Sequence, residues 1–188
     1  MATLRQFNMI CAADECLGIG KDQRLPWKLP SEFANFRHLV SLRKDKTKKN
    51  AAILGRKTFL LEGERQPEKS FCYIVISTTL KEKPPVASYM CRSVAEAIQL
   101  VSSPELAPEI ENVWIWGGHG VYKEGMSLPQ CHRIYLTRVY ANFECDAFFP
   151  GIDTTNYKLV SDPNIPEDIQ EENGIKYKFE IYERFQVG

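Results

Sequence analysis

NVWIWGGHGVYKEGM, residues 112–126, decides the fold: a short unbroken apolar run ends in Gly117-Gly118 and passes at once into a helical pattern. A strand that is apolar at successive positions has both faces covered, the condition of a parallel strand lying under helices. Three further runs share this character: FNMICAA at 7–13, NAAILG at 50–55 and FCYIVIS at 71–77. Helical patterns alternate with them: PSEFANFRHLVSLRK at 30–44, SVAEAIQLV at 93–101 and GVYKEGMSL at 120–128. The alternation predicts an α/β layered fold with a mostly parallel sheet. The last third differs, because HRIYLTRVYANF (132–143) and IKYKFEIYERF (175–185) alternate polar and apolar residues. They predict an antiparallel pair closing one edge. The acidic stretch between them, with Pro163 and Pro166, reads as surface loop, and KDKTKKN (44–50) as a solvated connection.

The chain has 188 residues, 44% hydrophobic and 26% charged, which excludes collagen, coiled coil and wholesale disorder and predicts one domain over 1–188. Twenty-four basic residues balance 24 acidic ones, so no electrostatic footprint for nucleic acid is present and anion recognition must be local. Cys11, Cys16, Cys72, Cys91, Cys131 and Cys145 form no C-x-x-C pair and no metal-ligand spacing, so no metal is expected. The N-terminal apolar run is too short for a signal peptide or membrane span, which predicts a cytoplasmic protein with reduced thiols.

Four segments carry candidate chemistry. In GIGKDQRLPWKLPSEFANF (18–36), Gly18 and Gly20 permit close backbone approach while Pro26 and Pro30 stiffen the connection, as a lid requires. On the following helix, Glu32, Phe36 and Leu39 share a face bordered by Phe33 and Val40. Glu32 then either complements the first helical turn or lies in an apolar pocket, where its anion would suit a flat heterocycle offering two N–H donors. In LGRKTF (54–59), Gly55 ends a strand and Arg56, Lys57 and Thr58 open a helix, an arrangement for phosphate or for a solvated basic corner. Ser77, Thr78 and Arg92 stand at other strand ends, and such ends converge on one crevice in parallel sheets. Gly117-Gly118 would let backbone donors meet a diphosphate; His119 beside them reads as incidental.

In order and spacing these segments resemble the dihydrofolate reductase family, through GIGK, LPW, EF, LGRKTF, IVIST, WIWGG, VYKE, YLTR, CDAFFP and IKYKFEIYE, from about Asn8 to Phe185. The resemblance implies an α/β fold: a mixed, mostly parallel eight-stranded sheet, flanking helices and an antiparallel C-terminal strand. It implies NADPH-dependent reduction of 7,8-dihydrofolate by hydride transfer to C6 and protonation of N5, by a monomer that antifolate inhibitors target. Glu32 matches the acid that holds the pteridine, Thr137 its hydrogen-bonding partner, Trp27 the tryptophan that positions a water, and Leu25 the mobile loop over the nicotinamide. On the substrate side fall Ile10, Cys11, Phe33, Phe36, Arg37, Trp116 and Tyr122. On the cofactor side fall Ala12, Ile19, Gly20, Gly55, Arg56, Lys57, Thr58, Ser77, Thr78, Arg92, Gly117, Gly118, Gly120, Val121 and Tyr122. Phe71 departs from the pattern, replacing an arginine that clamps the folate tail, with Arg37 or Arg65 as possible surrogates. Trp116 is bulkier than the usual aliphatic residue and is expected to reshape the floor between nicotinamide and pterin, and LLEGERQPEKS (60–70) diverges. The competing readings are a reductase of another pterin or pyrimidine and a non-catalytic binding protein.

Overall fold

The four apolar runs become four adjacent parallel strands. The computed structural model describes residues 3–62 and 68–186. Along the chain lie β1 (Phe7–Ala13), β2 (Gly18–Gly20), α1 (Pro30–Ser41), β3 (Lys49–Gly55), α2 (Arg56–Glu62), β4 (Phe71–Ile76), β5 (Tyr89–Cys91) and α3 (Val94–Val101). Then come β6 (Ile110–Gly117), α4 (His119–Ser127), β7 (Cys131–Val139), β8 (Ala147–Phe148), β9 (Tyr157–Val160), β10 (Gln170–Glu172) and β11 (Ile175–Arg184). The main sheet runs β10-β11-β7-β1-β6-β3-β4-β5, and β9 also pairs with β11. From β7 to β5 every pairing is parallel, whereas β11 is antiparallel to β7, β9 and β10.

Apolarity at successive positions is explained by layers on both faces. Met9, Ile53, Ile74 and Ile115 pack with Val94 and Ile98 of α3 and Val121 of α4. Their neighbours Ile10, Ala52, Leu54 and Trp114 point the other way, onto Val40 of α1 and Phe59 of α2. Burying alternate residues on opposite faces leaves no polar face for solvent.

Three expectations change. The first helix ends at Ser41, three residues before Lys44, because the fully buried Asn50 amide donates to the carbonyls of Val40 (2.8 Å) and Leu42 (2.9 Å) and so closes that helix end. The supposed loop before β11 contains β8, β9 and β10, so β11 is interior to the sheet rather than its edge. Polar strands such as Gln170–Glu172 carry no apolar signal; they form because β11 offers an unpaired ladder edge. The Asn173-Gly174 turn between β10 and β11, with φ of 52° and 74°, is a left-handed two-residue hairpin, and Asn-Gly was its legible signal. The glycine pair at 18 and 20 is likewise short strand, paired antiparallel with β8 in a separate two-stranded ribbon.

Candidate active site

The parallel strands end together at Ala13, Gly55 and Gly117, and beyond these ends opens a cavity of about 760 Å³. That is the place and size expected of a ligand site in a parallel sheet. Ile10, Cys11 and Ala12 of β1 line its floor, Glu32, Phe33 and Phe36 of α1 one wall, and Lys57, Thr58 and Leu61 of α2 another. Trp116 and Tyr122 close the back, and Ile19, Gly20 and Leu25 the front.

Glu32 is the buried charge of this site. It is 8% exposed and accepts a hydrogen bond of 2.8 Å from the Thr137 hydroxyl, which stands on β7 where Thr137 pairs with Ala12 of β1. Burial pushes its carboxyl up from the ordinary range, and the Thr137 hydroxyl pulls it partly back. It does not cap its helix: no side chain caps α1, and the Ser31 N–H instead donates to the Glu172 carboxylate at 3.1 Å. Pocket acid, rather than cap, is therefore its structural position. Burial also pushes the Cys11 thiol far up, with the Tyr122 hydrogen bond opposing and Glu32 adding to the rise, which favours the neutral thiol.

Tyr122 organises the back wall by donating toward the carbonyls of Ile10 (2.6 Å) and Trp116 (2.8 Å). Its ring leaves no room beside Gly117, where a Cβ would stand 2.9 Å from the ring and φ is +114°. Glycine is required there on both counts. A Cβ on Gly118 would lie 3.4 Å from the Thr58 hydroxyl, so bare backbone faces the start of α2 across the cavity. Gly55 adjoins this junction, near the Val121 side chain and the Gly118 nitrogen, and Gly120 and Gly118 line the cavity. This glycine-lined cradle, with Lys57 and Thr58 beside it and the N-terminus of α4 within it, fits an extended phosphorylated cofactor.

Other expected residues stand apart. Trp27 is buried among Leu29, Val139 and Tyr177, 5.4 Å from the Phe143 ring, and its indole N–H has no hydrogen-bond partner among the described residues. Arg56, Ser77, Thr78 and Arg92 do not line the cavity; Arg56 is exposed, and Arg92 donates to the carbonyls of Ser77 (2.8 Å) and Leu80 (2.7 Å). Arg37 lies outside the cavity lining and is ion-paired with Glu68. Arg65 lies outside the described residues. Phe71 and Trp116 form one cluster: Trp116 contacts Phe36 and Phe71 edge-on, each at 5.2 Å between centroids, and Tyr73 at 5.9 Å. The bulk of Trp116 is thus taken up largely by aromatic neighbours, with the residue only 6% exposed where it borders the cavity. Sequence reading missed Asp22, Gln23, Arg24, Asp146 and Ala147, which also line the cavity, and assigned His119 no role. Asp146 and Ala147 come from the β8 segment, whose place over the site no local pattern announced.

A family model described as dihydrofolate reductase matches residues 6–184. The chain belongs to the dihydrofolate reductase family. The bovine (Bos taurus) and chicken (Gallus gallus) dihydrofolate reductases are each 44% identical to it over 184 residues, covering 96% of this chain and 98% and 97% of theirs. The Drosophila melanogaster dihydrofolate reductase is 39% identical over 181 residues, covering 95% of this chain and 98% of its own. Among solved structures, the Schistosoma mansoni dihydrofolate reductase superposes with a TM-score of 0.82 at 32% identity, covering 97% of this chain and all of that one. As in other dihydrofolate reductases, the fold is a mixed, mostly parallel sheet with an antiparallel C-terminal strand.

Proposed function

We propose roles for the cavity residues in the reaction of this family. That reaction, the reduction of dihydrofolate, is this chain's reaction, and the chain is an oxidoreductase. The single observation that carries the role assignment is Glu32: a buried carboxylate, hydrogen-bonded by Thr137, inside a mostly apolar cavity of about 760 Å³. Such an anion needs donors from a ligand, and the paired N–H edge of a pterin supplies them in bidentate form. Glu32 holds and polarises that edge, Thr137 fixes the carboxylate rotamer, and the unpartnered Trp27 N–H is free to hold a water beside it. Phe33 and Phe36 wall the ring, Leu25 shields the mouth from solvent, and the Ile10 and Trp116 carbonyls border the back.

NADPH is the proposed cofactor and, when bound, supplies the hydride for C6 of the pterin. Gly117, Gly118, Gly120, Val121 and the start of α4 would hold its diphosphate; Ala12, Ile19, Gly20 and Tyr122 the nicotinamide; Gly55, Lys57 and Thr58 the bridge. Arg56, Ser77, Thr78 and Arg92 are assigned to the adenosine phosphates. The proposed unit is one domain over 1–188, acting as a cytoplasmic monomer; all six cysteines are free, which suits a reducing compartment, and no helix of the described residues is long and apolar enough to cross a membrane.

The deciding assay follows NADPH oxidation with dihydrofolate, dihydrobiopterin and an aminopyrimidine ribitol compound in parallel. Dihydrofolate should be favoured by kcat/KM; a preference for either other substrate, or no turnover, would overturn this reading. Because Phe71 is buried among rings and Arg37 is engaged by Glu68, antifolates with and without a glutamate tail should bind with similar affinity.

A further inference from the structure

His119 is the first residue of α4, borders the cavity, and holds its Nδ1 2.6 Å from the Phe148 carbonyl oxygen. A carbonyl oxygen only accepts, so Nδ1 carries the proton in this contact whatever the charge of the ring. Phe148 belongs to β8, which pairs with β2 in the ribbon, and Ile19, Gly20, Asp146 and Ala147 of that ribbon line the cavity. The base of the ribbon is tied down separately. The fully buried Asp14 carboxylate accepts from the N–H groups of Cys16 (2.9 Å), Gly18 (2.7 Å) and Phe143 (3.1 Å) and from the Cys145 thiol (3.6 Å). On its other side the ribbon meets α4 through the Phe149 ring on Tyr122, at 5.3 Å, and through His119.

We propose that His119 is a positioning residue that fastens the β2–β8 ribbon to the first turn of α4, so that the front wall of the cavity is held by the helix that receives the cofactor. The coupling to cofactor rests on the NADPH reading; the fastening does not. The same helical turn would take the diphosphate, so a ligand that steadies this turn steadies the ribbon. By reciprocity a held ribbon retains the ligand.

Hydrogen exchange of the full chain, read on peptides spanning 14–20 and 145–149, tests both parts in wild type, His119→Ala and His119→Asn, each with and without NADPH. These peptides include the Asp146 and Phe149 N–H groups, which donate to the Gly20 and Leu17 carbonyls. Without NADPH, His119→Ala should exchange faster there by about 2–10-fold, the worth of one ordinary hydrogen bond, and His119→Asn, whose amide can still donate to Phe148, should restore protection. With NADPH, wild type should gain more protection than His119→Ala, whose KM for NADPH should rise by more than its kcat falls. Equal exchange of wild type and His119→Ala without NADPH overturns the fastening. A ribbon that NADPH fails to protect in wild type overturns the coupling and the cofactor reading, while the cofactor-free comparison still decides the fastening.

Discussion

Glu32 stands between two opposing effects, burial that favours its neutral form and the Thr137 hydroxyl that favours its anion, and burial wins. Its folded carboxyl therefore holds its proton to higher pH than the unfolded one. The protein without ligand loses stability as pH rises from about 4.3, the ordinary glutamate value, through the raised folded value. Glu32→Gln should remove this loss, so its melting temperature should gain on wild type as pH rises above that ordinary value. The same variant should lose about 10²–10⁴-fold in kcat at pH 7, partly recovered in acid where the substrate arrives already protonated. A pH–rate profile alongside thermal melts reads both, and full activity at pH 7 would remove Glu32 from the mechanism. Helical spacing alone left this residue open between cap and pocket, since both lie in the first turn of an amphipathic helix. What separates them is Thr137, 105 residues further along the chain, and Glu172, which takes the helix-end N–H instead.

Two elements, the β2–β8 ribbon and the β10–β11 hairpin, are fastened to the helices of the site by polar contacts. Asp14 anchors the first. Burial pushes its carboxyl up, but the N–H groups of Phe143, Gly18 and Cys16, with the Cys145 thiol, outweigh burial and hold it below the usual range. Its contribution is thus present above about pH 3.9, the unfolded value, and is lost as pH falls through the folded one. Asp14→Ala leaves three backbone donors without their acceptor and should cost about 2–4 kcal/mol in urea unfolding at pH 7, with the gap to wild type narrowing in acid. The hairpin carries Glu172 to the start of α1 through its Asn173-Gly174 turn. With φ of 74° at Gly174, Gly174→Ala should cost about 1–2 kcal/mol, read as a lowered urea midpoint. The four parallel strands were legible as apolar runs because both their faces are buried. The short polar strands were not, since pairing to β11 rather than side-chain burial makes them.

At the scale of the whole molecule, the proposed cofactor, spanning the strand ends, would bind only the folded chain. NADPH at 100 times its Kd should add about 2.7 kcal/mol of stability, or about 5–11 °C in Tm for a chain of this size. Arg56→Ala should remove about 1.5–3 kcal/mol of NADPH binding and little of NADH binding if Arg56 meets the 2′-phosphate. Equal losses for both cofactors, in titrations followed by fluorescence, would detach Arg56 from that role. The sequence by itself determined the layered parallel core, the strand-end glycines and the family, because burial on two faces and backbone room at a turn act on neighbouring residues and leave local marks. The family resemblance already paired Glu32 with Thr137, whereas only the tertiary structure decided that Phe71 and Trp116 share one ring cluster and that β8 borders the cavity beside His119. Those outcomes depend on groups far apart in the chain, whose meeting is set by the packing of the whole sheet rather than by spacing along it.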